Sequence, residues 1–113
     1  MERVSEYRRI VRELLEAYAS LGRENRGEDE QTFVLVDAAQ NHYQVMHTGW
    51  AGKRRHYGCV IHMEIRGEKI WVHQDSTDAD PVGELLERGV PKEDIVLAFH
   101  PPQMRPMTGF ATE

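Results

Sequence analysis

The stretch RRHYGCVIHMEIRGEKIWVHQD, residues 54–75, decides the fold of this 113-residue chain. Apolar and polar residues alternate along Arg54–Arg66 and again along Lys69–Asp75, which is the period of a β-strand with one buried face. Gly67-Glu68 separates the two runs and is typical of a two-residue turn. The stretch therefore predicts a β-hairpin of two antiparallel strands.

The predicted turn fixes which residues face each other. A two-residue turn pairs Glu64 with Trp71 and His62 with His73, so two histidines would lie side by side. One face of the first strand is predicted to join the core and carries Tyr57, Cys59, Ile61, Met63 and Ile65. The other face is predicted to stay open and carries His56, Gly58, Val60, His62, Glu64 and Arg66.

Further strands and helices are predicted on both sides of the hairpin. Towards the N-terminus, Thr32–Ala38 and His42–Thr48 read as two further strands, followed by a turn at residues 49–52. Before them, Val4–Leu21 has the apolar spacing of an amphipathic helix that Gly22 would end, with a loop at Arg23–Gln31.

Towards the C-terminus, Asp80 precedes a short predicted helix, Pro81–Arg88, as an N-cap. Ile95–Phe99 reads as a strand or a short helix, and a proline-rich tail follows. The predicted fold is α+β, a single domain over residues 1–113. An N-terminal amphipathic helix packs on a four- or five-stranded antiparallel sheet, with short C-terminal helices.

Composition excludes several classes of protein. Apolar residues make up 40% of the chain and charged residues 29%, and no apolar run approaches the roughly 20 residues of a membrane span. The N-terminus shows no secretory signal, and the single cysteine, Cys59, leaves no internal disulfide. We expect a cytoplasmic protein without a membrane partner.

The net charge of −5 is unevenly distributed. Residues 32–74 carry a net charge of +2, whereas residues 75–94 carry −5. Nucleic-acid-binding domains are usually basic, so the sum alone argues against DNA as a partner. The acidic segment instead indicates contact with another protein.

Catalytic chemistry finds little support in the residues. His62 and His73, with Glu64 and Asp75 nearby, could bind a divalent metal as an open catalytic zinc site does. A helical His-x-x-x-His motif is missing, however, and all these ligands would project from a flat sheet. Cys59 falls on the predicted core face without an acid-base partner. We therefore predict no catalytic residue, no cofactor and no enzymatic activity.

A basic and aromatic cluster is the candidate binding feature. Lys53, Arg54 and Arg55 lie between Trp50 and Tyr57, a combination that can contact nucleic acid. Three or four phosphate contacts give only weak, salt-dependent affinity, so direct DNA binding is not expected. Trp, Tyr and Arg are also the usual anchors of protein interfaces. Trp71, on the polar face, should be covered by the N-terminal helix or by another chain.

Several segments resemble the XisI family of fdxN-element excision controlling factors. They are YQVMHTGW (residues 43–50), residues 54–75, GVPKEDIVLAFHPP (residues 89–102) and, more weakly, MTGFAT (residues 107–112). The resemblance implies a small α+β protein that acts with XisH and a site-specific recombinase in the programmed excision of a DNA element during differentiation of nitrogen-fixing heterocysts. XisH-type partners resemble endonuclease-fold proteins. The resemblance assigns no reaction to XisI itself.

We therefore expect a non-enzymatic accessory factor that works through protein contacts. Alternatives are an antitoxin-like inhibitor of a nuclease-like partner and a metal-dependent hydrolase that uses His62 and His73. Self-association is left open. The hypothesis for the partner-binding surface comprises Trp50, Arg54, His62, Glu64, Trp71, His73 and His100.

Overall fold

A long helix lies across one face of a five-stranded sheet in the computed structural model of the chain, which describes residues 2–24 and 29–113. The elements in chain order are α1 (Glu2–Glu24), β1 (Glu30–Asp37), β2 (His42–Ala51), β3 (Arg54–Arg66), β4 (Lys69–Asp75), α2 (Pro81–Glu87) and β5 (Ile95–Leu97). Two 3-10 helices, Lys92–Asp94 and Pro102–Met107, flank β5. The α+β fold predicted from the sequence is confirmed.

The core forms between α1 and the sheet. The helix buries one apolar stripe, made of Tyr7, Ile10, Val11, Leu14, Leu15 and Ala19. Facing it, the sheet contributes Tyr43, Val45, Ile61, Met63, Ile65, Ile70, Val72, Ile95 and Leu97. The helix α1 packs on this face of the sheet, and we call the opposite face the open face.

The sheet is a meander with one parallel addition. Its order is β1-β2-β3-β4-β5, and the first four strands are antiparallel, as predicted. Residues 95–97, which the sequence left as strand or helix, form β5, and β5 runs parallel to β4. The reason is the intervening segment with α2, which returns the chain to the starting end of β4, as a crossover connection does. The sheet is thus mixed rather than antiparallel throughout.

The β3–β4 turn has the predicted geometry, but the pairing beyond it slips. Gly67 and Glu68 both have positive φ, 58° and 63°, as a type I′ turn requires. Glu64 pairs with Trp71 as predicted, but a β-bulge then shifts the register and pairs His62 with Gln74. The predicted direct pairing of His62 with His73 is wrong, because His73 is the extra residue of the bulge.

A second bulge reverses the faces of the first half of β3. Val45 pairs with Ile61 but Met46 pairs with Cys59, so Val60 is the extra residue. One added residue reverses the alternation of side chains across the bulge. Tyr57 and Cys59, which precede Val60, therefore lie on the face opposite to that of Ile61. Tyr57 is 70% exposed. The prediction that these two residues join the core is wrong.

Element ends differ from the predicted ones at two glycines. Gly22 does not end α1, which continues to Glu24; a Cβ there would lie 3.1 Å from Thr32 Oγ1, so the glycine permits close approach of helix and sheet. Gly49 lies within β2, and the turn is at Gly52-Lys53. Residues 25–28 of the predicted Arg23–Gln31 loop lie outside the described residues. Within the described part of the chain, no helix is long and apolar enough to span a membrane.

Candidate partner-binding face

Three histidines and a glutamate meet in the middle of the open face. We call His42, His62, His73 and Glu64 the histidine cluster. His42 is the first residue of β2 and pairs with Glu64 on β3, while the bulge in β4 brings His73 beside them. The His62 and His73 ring centroids are 4.8 Å apart, and His42 Nδ1 lies 2.9 Å from His62 Nε2. The two predicted histidines are therefore neighbours through the bulge rather than through direct pairing.

Glu64 is the anchor of this cluster. Its side chain is 12% exposed, and it accepts hydrogen bonds from Arg66 Nη2 at 2.7 Å, Arg66 Nε at 3.2 Å and His73 Nε2 at 2.8 Å. Burial alone would raise the pKa of Glu64, but the hydrogen bonds from Arg66 and His73 and the charge of Arg66 outweigh it and lower this pKa to about 2. Glu64 therefore stays ionised near neutral pH, unlike a general acid or base, whose pKa lies close to the working pH.

The surroundings of His62 favour its neutral form. Burial lowers its pKa, and repulsion by His73 and His42 lowers it further, against the opposing attraction of Glu64. A neutral imidazole has one nitrogen that donates a hydrogen bond and one that accepts. His62 can therefore form a hydrogen bond with His42 Nδ1. Within the cluster, His42 is therefore hydrogen-bonded to His62, and His73 to Glu64.

Trp71 is covered by two arginines rather than by α1. The Arg66 guanidinium lies 4.1 Å from the Trp71 ring centroid and that of Arg105 lies 5.5 Å away. Arg105 is held by the tail, since its Nε donates to the carbonyl oxygen of His100 at 3.1 Å. The prediction that the N-terminal helix covers Trp71 is wrong for this reason, because the C-terminal segment reaches over the sheet to it. Cover by another chain stays a prediction.

The other predicted residues lie at the far end of the β2–β3 hairpin. Trp50 pairs with Arg55, whose guanidinium lies 5.2 Å from the Trp50 ring centroid and 5.5 Å from that of Tyr57. Arg54 pairs with Ala51, so the strand alternation turns it towards the opposite side of the sheet. We call residues 50–57 the hairpin tip.

The structure thus divides the predicted surface in two. Glu64 follows Arg55 by nine positions in β3, which corresponds to about 30 Å along a strand. His62, Glu64, Trp71 and His73 come together in the centre, and His100 reaches them only through Arg105. Trp50 remains with the hairpin tip.

Two members of the central group escaped sequence reasoning. His42 and Arg105 belong there, yet neither lies in the decisive 54–75 stretch. His42 could have been found from the alternation of its own strand, because the neighbouring Tyr43 is a core residue and His42 must point to the other face. Arg105 gave no comparable signal, since it lies in a 3-10 helix between prolines.

The geometry does not favour metal or thiol chemistry on this face. Among residues 2–24 and 29–113, no group of three or more His, Cys, Asp or Glu side chains is placed to hold a metal ion. Cys59 is half-buried, and burial raises the pKa of its thiol. A thiol with a raised pKa is a poor nucleophile because the thiolate is the reactive form.

Comparison with known proteins gives consistent results. A sequence model of the XisI protein family matches residues 1–112. The crystal structure of a XisI-like protein from Anabaena variabilis ATCC 29413 is 41% identical, with a TM-score of 0.89 over 96% of this chain and 97% of that one. The crystal structure of the fdxN element excision controlling factor XisI from the same organism is 32% identical, with a TM-score of 0.82 over 98% and 99% of the two chains. No curated protein matches the chain.

Proposed function

Because the chain belongs to the XisI family, as its motifs predicted, we propose that it is an excision controlling factor that acts without catalysis, by holding a protein partner on its open face. The expected partner is an XisH-like protein of endonuclease fold, and a site-specific recombinase would be engaged indirectly. The programmed excision of a DNA element during heterocyst differentiation is the proposed setting, and the cytoplasm the proposed location.

The observation that carries this proposal is the preorganised centre of the open face. Glu64 holds His73 and Arg66, and Arg66 and Arg105 hold Trp71, so a half-exposed surface is fixed before any partner arrives. Side chains that are already held in place lose less conformational entropy on binding, and Trp and Arg are frequent hot spots of protein interfaces.

Apolar side chains on the open face lie beside this polar centre and add apolar surface that a partner can bury. The β1–β2 pairing places Phe33 beside Met46 and Leu35 beside Gln44, on the side away from α1. Leu35 is 46% exposed. An apolar margin next to a fixed aromatic and polar centre is the composition of a protein interface rather than of a small-molecule pocket.

Co-purification tests the proposal. The chain is co-expressed with an XisH-like protein, and the complex is resolved by size-exclusion chromatography at micromolar concentration. A single co-eluting peak is expected. We further expect Trp71→Ala to weaken the complex at least tenfold, because a buried interface Trp is a typical hot spot.

The matched control is Trp50→Ala, which removes the same side chain from the hairpin tip about 30 Å away. It should leave the complex intact. Separate peaks for the two unmodified proteins, or equal weakening by both substitutions, would count against the centre of the open face as the partner surface.

A second candidate function is inhibition of a nuclease-like partner, and the acidic segment 75–94 favours it. This segment carries a net charge of −5, and its carboxylates at Asp78, Asp80, Glu84 and Glu93 belong to exposed residues. An array of exposed carboxylates can occupy a basic nucleic-acid-binding cleft by charge complementarity.

Nuclease assays distinguish the two functions. DNA cleavage by the purified partner is measured with and without this protein. Suppressed cleavage that returns on replacing the four carboxylates by amides would favour inhibition. Unchanged cleavage by a stable complex would favour the accessory role.

A further inference from the structure

We infer that the hairpin tip binds single-stranded nucleic acid, by stacking bases on Trp50 and Tyr57 and by pairing phosphates with Lys53 and Arg55. This inference is independent of the proposed protein partner. The ligand chemistry is a phosphodiester chain with unstacked bases, which single-stranded DNA and RNA share.

Exposed aromatic rings on one face are the first observation. Trp50 is 49% exposed and Tyr57 is 70% exposed. The bulge at Val60 is what places Tyr57 on the same face as Trp50. Large exposed aromatics contribute nothing to the core of this fold, whereas each offers a ring face on which a base can stack irrespective of sequence.

Arg55 lies between the two rings and is the second observation. Its guanidinium is within 5.5 Å of both ring centroids, which fixes its position without an acidic partner. A guanidinium held in this way keeps all its N–H groups for a phosphate, and Arg pairs with phosphate in a bidentate manner. Lys53, exposed at the Gly52-Lys53 turn, adds a second positive charge at the very end of the hairpin.

The distribution of carboxylates is the third observation. No Asp or Glu occurs between Asp37 and Glu64, although the chain as a whole has a net charge of −5. In the described part of the chain, Asp29 and Glu30 are the acidic residues beside the tip: the Asp29 carbonyl oxygen accepts from the Trp50 backbone N–H at 3.2 Å, and the Glu30 carboxylate lies 3.5 Å from His47 Nε2. Residues 50–57 themselves carry Lys53, Arg54 and Arg55 and no Asp or Glu, so this end of an acidic molecule attracts anionic ligands.

Fluorescence anisotropy tests the inference with labelled oligothymidine and oligouridine of about 15 nucleotides, the upper range for one small binding domain. We expect weak binding whose logarithm falls with the logarithm of salt concentration at a slope of about −1.4, which is the value for two phosphate contacts on a single strand. Duplex DNA of the same length should bind less tightly, because its bases are already stacked. Similar affinity for the two labelled strands is expected, since base stacking and phosphate contacts are common to DNA and RNA.

Two double variants separate the stacking contribution from the charge contribution. Trp50→Ala with Tyr57→Ala should lower affinity about tenfold or more and leave the salt slope unchanged. Lys53→Gln with Arg55→Gln should lower affinity and flatten the slope. Arg8→Gln with Arg12→Gln, which removes the same charge from the exposed side of α1, is the matched control and should retain binding.

Tryptophan fluorescence localises the contact without a destabilising change. The chain has two tryptophans, Trp50 and Trp71, so Trp50→Phe keeps an aromatic ring at the tip while leaving Trp71 as the fluorophore. Oligonucleotide should quench the unmodified protein and not this variant. Absence of binding at low salt, equal or tighter binding of duplex DNA, or binding unaffected by both double variants would each overturn the inference.

Discussion

The two halves of β3 differ although apolar and polar residues alternate through both. In the inner half, residues 61–66, the odd-numbered side chains of Ile61, Met63 and Ile65 are buried under α1. In the outer half, residues 54–59, the odd-numbered side chains lie on the open face, and Tyr57 is 70% exposed. Val60, the extra residue of the bulge, separates the halves.

The difference shows how one added residue divides a strand between two tasks. The inner half contributes to the core on one side and to the histidine cluster on the other. Substitution of its residues should therefore lower the free energy of unfolding. The outer half extends past the helix and presents its side chains to solvent, so its substitution should affect binding and leave the fold intact.

The largest effect is expected in the core of the inner half. Ile61→Ala should lower the free energy of unfolding by about 2–5 kcal/mol, because Ile61 is fully buried and its truncation leaves a cavity. Tyr57→Ala in the outer half should change it by about 0.5 kcal/mol or less. Urea denaturation measures both. A comparable loss in the two variants would show that the outer half is packed rather than presented.

The next effect comes from Glu64 and depends on pH. Its pKa of about 2 lies below the ordinary value of 4.5, so its contribution to stability is present above pH 4.5 and is lost as pH falls towards 2. At about 1.4 kcal/mol per pKa unit, this contribution is at most about 3 kcal/mol, because solvent screens the half-exposed Arg66. Denaturation at a series of pH values should show a steep loss over this range in the unmodified protein and a shallower one in Glu64→Gln.

A surface glutamate provides the control for this pH series. Glu87→Gln replaces an exposed carboxylate at the end of α2 and should leave the pH profile unchanged. Identical profiles for Glu64→Gln and the unmodified protein would mean that Arg66 and His73 do not hold this carboxylate in solution.

The same division of β3 explains how far sequence reasoning reaches. The strand period and the turn residues predict the hairpin, its pairing near Gly67 and the inner core correctly, because these depend on neighbours in sequence. The alternation of apolar and polar residues continues through the bulge at Val60, so the sequence does not reveal it. The predicted faces of Tyr57 and Cys59 are wrong for this reason. Arg105 reaches Trp71 through the packing of the C-terminal segment, and His42 joins the histidine cluster from β2. No local pattern in residues 54–75 encodes either contact.

A smaller effect is expected at the glycines on either side of the inner half. Gly67→Ala should destabilise the chain by about 1 kcal/mol, because residue 67 has a φ of 58°, which a Cβ disfavours. Gly58→Ala in the outer half should be neutral or stabilising by up to about 1 kcal/mol, since a Cβ there meets no atom within 4 Å. Thermal denaturation distinguishes the opposite signs, and destabilisation by both would show that Gly58 is needed for the bulge.

The smallest effect compares the two arginine–tryptophan contacts. Arg55→Gln removes a contact between exposed groups, which contributes about 0.5 kcal/mol. Arg66→Gln should cost more, because Arg66 both covers Trp71 at 4.1 Å and donates two hydrogen bonds to Glu64. Urea denaturation of the two variants ranks them, and their tryptophan emission shows which ring is uncovered. Since the same chemical change is made in each half of the sheet, a greater loss of stability from Arg55→Gln would mean that the outer half supports the fold, and that Arg55 is held by more than its two aromatic neighbours.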